Sequence, residues 1–156
     1  MDLILWRHAH AGDHLADPVE DLARSLSPKG ERQAARMAQW LNQRLNESTR
    51  IIASPAMRTQ QTVQALGRVF RTVDALAPGA SVEDVLLAAR YPGSRQAVLV
   101  VGHQPVLGLV VARLLDAADS TQPWSIRKGG AWWLRLEDKD GQPRIQLQAV
   151  ISPDMA

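Results

Sequence analysis

A chain of 156 residues with 46% hydrophobic and 22% charged side chains has the size and composition of one domain around one sizeable core. Its formal net charge of +2 gives no ground for a nucleic-acid partner, and the absence of cysteine excludes disulfides, thiolate catalysis and cysteine-ligated zinc. The apolar run near the start is too short for a signal or membrane segment, so the expectation is a soluble, cytoplasmic monomer with no membrane partner.

The predicted elements alternate strand and helix. Leu3–Trp6 is a short continuous apolar run, as in a strand buried on both faces. It leads directly into Arg7 and three of the four histidines, His8, His10 and His14. Ala11–Leu26 is polar and irregular and reads as a loop beside a site. In SPKGERQAARMAQWLNQRL, Ser27 is a candidate N-cap with Pro28 at the first helical position, and Ala34, Met37, Ala38, Leu41 and Leu45 share one helical face. RIIAS reads as a second strand stopped by Pro55, and a helix is expected from about Met57 to Phe70. TVDAL suggests a short strand and SVEDVLLAARY a short helix. QAVLVVGH carries the clearest strand signal, PVLGLVVARLLDA reads as a strongly apolar helix, and GGAWWLRLE and PRIQLQAVI flank an Asp-Gly pair suited to a hairpin. This order implies an α/β layered fold with a mostly parallel sheet and an antiparallel component. Most of the five tryptophans are expected in the core or at its edge.

Cationic or imidazole side chains follow each of the three central strands. Arg7 and His8 follow the first, Ser54, Pro55 and Arg58 the second, and Gly102 and His103 the third. If those strands are parallel, the residues share the carboxyl edge of the sheet, where open α/β folds bind ligands. Two guanidiniums and two imidazoles would then meet with no carboxylate recurring beside them. A compact dianion is the natural occupant of such a pocket, and the arginine fork suits phosphate oxygens.

LILWRHAHAGD resembles the signature of the histidine phosphatase superfamily, the phosphoglycerate-mutase-like phosphatases: an apolar strand, then Arg-His-Gly, then a polar residue. Four further segments match in order: LSPKGERQA, IIASPAMRTQQT, LAPGASVEDVL and VLVVGHQPVLG. The length is closest to the small bacterial phosphohistidine phosphatases of the SixA kind. The resemblance implies one domain over residues 1–156, a three-layer α/β/α sandwich around a mostly parallel sheet, and no metal or other cofactor. It implies that His8 attacks phosphorus and becomes phosphohistidine, while Arg7, Arg58 and His103 hold the phosphoryl oxygens. The same pocket would take phosphate, sulfate or vanadate. The implied partner is a phosphohistidine-bearing protein of the histidine-containing phosphotransfer type.

Two departures from the family pattern concern the first loop. The family glycine is Ala9 here, which would be strained by roughly 1–2 kcal/mol if the position needs a left-handed backbone. His10 stands where relatives carry a polar or acidic residue. Ester-cleaving members also need a proton donor for an alkoxide. The candidates are Ser81, Glu83 and Asp84, or His10, Asp13 and Asp17 in the first loop. A phosphoramidate needs less help, so a site without a well-placed acid favours N–P cleavage over phosphomonoester hydrolysis. Two rivals remain. His8, His10, Asp13 and His14 form H-x-H-x-x-D-H, one residue longer than the H-x-H-x-D-H of metallo-β-lactamase-like hydrolases, and only His103 is left to complete a binuclear site. A non-catalytic phosphoprotein-binding module would keep the pocket and lose turnover.

Overall fold

The computed structural model describes residues 1–116 and 121–156. The end of the apolar helix segment, Ala117, lies outside the described residues. The chain runs β1 (Asp2–Arg7), α1 (Pro18–Leu22), α2 (Pro28–Asn42), β2 (Arg50–Ala53), α3 (Met57–Gln64), β3 (Arg71–Thr72), α4 (Val82–Ala88), β4 (Val98–Gly102), α5 (Val106–Leu115), β5 (Ala131–Lys139) and β6 (Gln142–Ile151). One sheet has the order β3-β2-β4-β1-β5-β6. The first four of these are mutually parallel, and the hairpin β5–β6 adds the antiparallel part beside β1.

Alternate side chains of the central strands feed two separate cores. Leu3, Leu5, Ile52, Val98 and Val100 pack with Val85 of α4 and Val110 of α5. Ile4, Trp6, Ile51, Leu99 and Val101 pack on the other face with Met37 and Leu41 of α2 and Val63 of α3. Both faces are therefore covered, which is the three-layer α/β/α arrangement, and each buried aliphatic side chain contributes roughly 1.5–3 kcal/mol. Trp6 and Trp132 are buried, Trp40 and Trp133 are half-buried, and Trp124 is exposed.

Local chemistry explains the boundaries. The Ser27 side chain accepts from Gly30 N, and Pro28 occupies the first turn of α2, as the sequence predicts. Leu45 is buried as expected, although α2 ends at Asn42. The loop expected over Ala11–Leu26 instead contains α1, started by Asp17, which accepts from Val19 N and Glu20 N, with Pro18 at its first position. The helix expected to reach Phe70 stops at Gln64, where Leu66 N donates to Val63 O and Gly67 N to Gln64 O in tight closing turns. Of TVDAL only Thr72 joins the ladder with β2, together with Arg71 just before it, and Asp74–Leu76 turns into a short 3₁₀ helix. Asp140 and Gly141 adopt left-handed backbone angles at the hairpin tip, the geometry that keeps two twisted strands in register. Among the described residues, no helix is long and apolar enough to cross a membrane.

Candidate active site

The parallel register decides what meets at the carboxyl edge. Arg7 pairs with Gly102 across β1 and β4, and Ala53 pairs with Val101 across β2 and β4. The residues just beyond these strand ends, His8, Ser54 and His103, therefore emerge side by side. A cleft of about 570 Å³ opens there, lined by Arg7, His8, Arg58 and His103. The structure thus brings together the four residues that the strand ends single out.

His8 is 6% exposed, and its Nδ1 lies 2.8 Å from the Ala9 carbonyl oxygen. A carbonyl only accepts, so Nδ1 carries the hydrogen and Nε2 of the neutral ring keeps its lone pair. Burial is the main cause that pushes the His8 pKa down to about 3, with the Arg58, Arg7 and Arg24 charges adding to it. His103 is also pushed down to about 3, first by burial and then by His8 and Arg58. Its Nε2 is 2.7 Å from Ser54 Oγ, and the two imidazole rings sit 5.4 Å apart. Both rings are neutral at ordinary pH.

The guanidiniums are anchored differently. Arg7 donates through Nη1 to Ile126 O at 2.8 Å. Arg58 donates to Asp21 O at 2.8 Å and to Asp21 Oδ2 at 3.3 Å. Asp21 corrects the expectation of a pocket without a carboxylate. It is buried, accepts from Leu15 N, Arg24 Nε and Arg58, and faces His14 Nδ1 at 3.2 Å. The Leu15 amide, together with Arg24 and Arg58, holds its pKa near 2 despite burial. Asp21, Arg24 and His14 line the cleft, as do Lys128, Gln104 and the turn Pro78–Ala80. One signal for Asp21 was present in the sequence: Asp17-Pro18 is a cap-and-first-turn pair, and it sets the helix that carries Asp21. The segment around Ile126 had no comparable signal.

The backbone around His8 is fixed by its flanking motifs. Thr62 Oγ1 accepts from Ala9 N and donates to Arg58 O. Gln33 accepts from His10 N, Gln61 accepts from Leu26 N, and Thr59 and Gln60 donate to Ser54 O. Gly30 is required by close approach, because a Cβ there would lie 1.9 Å from His10 O. Gly129 N donates to His8 O, and Arg7 N donates to Gly130 O. Ala9 is fully buried beside Ala11, Leu26 and Ala34, and its φ is not positive. The strain expected from replacing the family glycine is therefore absent.

The candidate proton donors do not line the cleft. Ser81 caps α4 by accepting from Asp84 N, while Asp84 accepts from Ser81 N. Glu83 faces solvent and pairs with Arg113 at 3.0 Å. Asp17 is spent on capping α1, and Asp13 is exposed. His10 turns toward α2, with Nδ1 2.6 Å from Ser27 Oγ. The H-x-H-x-x-D-H spacing is thereby dispersed, and no group of three or more His, Asp or Glu with metal-holding geometry occurs among the described residues.

Known proteins resemble this chain in sequence and fold. Residues 3–77 match the model of the histidine phosphatase superfamily, branch 1. Phosphohistidine phosphatase SixA of Escherichia coli (strain K12) is 30% identical over 122 residues, which is 73% of this chain and 74% of that one. An uncharacterised protein of Picosynechococcus sp. is 34% identical over 153 residues, 94% of this chain and 89% of that one. The structure of the protein histidine phosphatase SixA complexed with tungstate has a TM-score of 0.77 to this fold at 25% identity, covering 99% of this chain and 98% of that one. The sheet order, the matched motifs and these likenesses agree: the chain belongs to the histidine phosphatase superfamily.

Proposed function

We propose that this protein is a phosphohistidine phosphatase that works through a covalent intermediate on His8 and needs no metal. The observation that carries the reading is the fixed tautomer of His8. Its Nδ1 is committed to the Ala9 carbonyl, so the free Nε2 lone pair lies in a cleft lined by the guanidiniums of Arg7, Arg24 and Arg58. That nitrogen attacks phosphorus in line, the bond to the leaving group breaks, and the phosphoryl group rests on His8 until water displaces it. Charge spreads over the phosphoryl oxygens at each transition state, beside Arg7 and Arg58, which line the cleft and are already anchored by Ile126 and Asp21. If the Ser54 hydroxyl donates to His103 Nε2, the other nitrogen of His103 carries the hydrogen and can donate to an oxygen. The guanidiniums supply the positive charge that a divalent cation supplies elsewhere, and they would repel one here.

The choice of phosphohistidine over a phosphomonoester rests on the proton inventory. Among the described residues, Asp21 is the one carboxylate lining the cleft, and its pKa near 2 makes it an acceptor, not an acid. An alkoxide leaving group would find no carboxylic acid to protonate it. The likeness to SixA of Escherichia coli points the same way. The tungstate held by the similar SixA supports a tetrahedral oxyanion as the occupant, and phosphate, sulfate or vanadate would fit this cleft equally.

The test is a side-by-side assay of a phosphohistidine-bearing phosphotransfer protein, a small alkyl phosphomonoester and a phosphotyrosine peptide. The reading expects kcat/KM to be highest for the phosphohistidine protein. A preference for either ester would overturn the substrate class while leaving the chemistry at His8 in place.

A further inference from the structure

The reaction leaves one role unfilled: the group that protonates the departing imidazole. We propose that His14, steered by Asp21, is that proton donor. The inference rests on the phosphohistidine reading above and adds a catalytic residue to it.

His14 lines the same cleft as His8 and His103, yet its side chain is 77% exposed, so it stands at the mouth and not on the floor. In-line displacement by His8 from the floor sends the leaving group outward, toward that mouth. Of the groups lining the cleft, guanidinium and ammonium side chains are too weak as acids for the task, and Asp21 has no proton to give. The imidazoles on the floor are the attacking ring and its neighbour. His14 is the remaining imidazole, a side chain that can serve as acid in one step and base in the next.

Asp21 gives this ring a fixed bearing. Its carboxylate meets three nitrogen partners: Arg58 Nη2 at 3.3 Å, Arg24 Nε at 3.1 Å and His14 Nδ1 at 3.2 Å. The guanidinium that would hold the phosphoryl group and the ring that would supply the proton thus share one buried anion. With Nδ1–H given to Asp21 Oδ1, Nε2–H is left to face the substrate. A histidine oriented by a carboxylate through one nitrogen, and reacting through the other, is a recurrent acid–base arrangement.

Position also selects the substrate. In a phosphohistidine the phosphorus-bearing nitrogen has no free lone pair, and the proton must go to the second ring nitrogen, on the side away from phosphorus. A donor at the mouth meets that atom. An ester needs its proton on the bridging oxygen, next to phosphorus and deep in the cleft. Donor and leaving group are both imidazoles, so the transfer is close to balanced in energy. In the forward step His8 Nε2 bonds to phosphorus, the P–N bond breaks, His14 Nε2 gives up its proton, and the substrate leaves as a neutral histidine. In the second step water attacks phosphorus where the leaving group was, the P–N bond to His8 breaks, and inorganic phosphate leaves. The proton released by the water returns to neutral His14 through solvent at the open mouth.

The test compares His14→Ala with the parent enzyme on a phosphohistidine peptide and on p-nitrophenyl phosphate, whose phenolate leaves without a proton. Phosphohistidine turnover should fall about 100-fold. Its loss should exceed that on p-nitrophenyl phosphate by tenfold or more, and free imidazole in the buffer should restore it. Equal losses on both substrates, or no restoration by imidazole, would overturn the role of His14. Persistent phosphate release by His8→Ala would instead remove the reading beneath it. His14→Gln, which keeps the side-chain bulk at an exposed position, should behave as His14→Ala without rescue by a fold effect, and a return to parental rates in that variant would also count against the donor.

Discussion

On the floor of the cleft, His8 and His103 are almost closed off from water, one fixed by the Ala9 carbonyl and the other by the buried Ser54 hydroxyl. At the mouth, His14 and Lys128 are exposed, and His14 is steered by a single carboxylate. The floor meets the same tetrahedral phosphoryl group in every substrate, so a rigid, desolvated arrangement costs nothing in versatility. The mouth meets the leaving group and the protein behind it, which differ between substrates. Asp21 joins the two regions, with one oxygen toward Arg58 and the other toward His14.

The sharpest way to break this contrast is on the floor. His8→Ala should abolish phosphate release from every substrate, a loss on the order of 10⁴-fold or more, as when a covalent nucleophile is removed. Arg58→Ala and His103→Ala should each lower turnover about 10²–10³-fold, the scale of losing one oxyanion donor, with little change in substrate preference. Steady-state assays on a phosphohistidine peptide and p-nitrophenyl phosphate would show whether the losses are uniform. Unequal losses would erase the distinction between floor and mouth.

Asp21→Ala should affect both regions. It leaves the buried Arg58 and the Arg24 guanidinium without their carboxylate, which should cost about 3–5 kcal/mol in denaturant unfolding. Turnover should also fall, because Arg58 and His14 lose their shared anchor.

Acid supplies a milder probe. His8 and His103 have folded pKa values near 3, below the unfolded imidazole value of 6.5. Between those limits the unfolded chain binds more protons, so stability declines as pH falls from about 6.5 toward 3 and is unaffected by these groups above 6.5. NMR titration should show the ring signals of His8 and His103 unmoved from pH 7.5 to 5. Ala9→Gly should do least: activity within about twofold, and a stability loss of about 0.5–1 kcal/mol from the freer backbone. A large gain in activity would mean that the alanine does obstruct the site.

The floor was legible in the sequence and the mouth was not, for a physical reason. Buried strands advertise themselves as apolar runs, and a parallel register forces whatever follows them to one edge. Arg7, His8, Ser54, Arg58 and His103 could therefore be placed before any coordinates. The supporting residues Gly30, Gln33, Thr59, Gln60 and Thr62 fell within matched motifs, though their bonds could not be read. Asp21 and His14 belong to a polar stretch with no hydrophobic period, where only the Asp17-Pro18 start of α1 was informative. Ser81, Asp13, Asp17 and Glu83 looked like acids because composition shows which groups can donate a proton but not which way they face. Three of them are committed to caps or a surface ion pair. Ile126 holds Arg7 through its carbonyl while its side chain packs in the core, and no side-chain pattern reports such a backbone contact.

The most direct measurement is to trap the enzyme during turnover of a phosphohistidine protein, quench in alkali to protect the N–P bond, and map the phosphoryl group by mass spectrometry. The account predicts that it sits on His8 in the parent and is lost in His8→Ala. Turnover with the phosphoryl group found on His103 or elsewhere, or with none on the enzyme at any time, would contradict it.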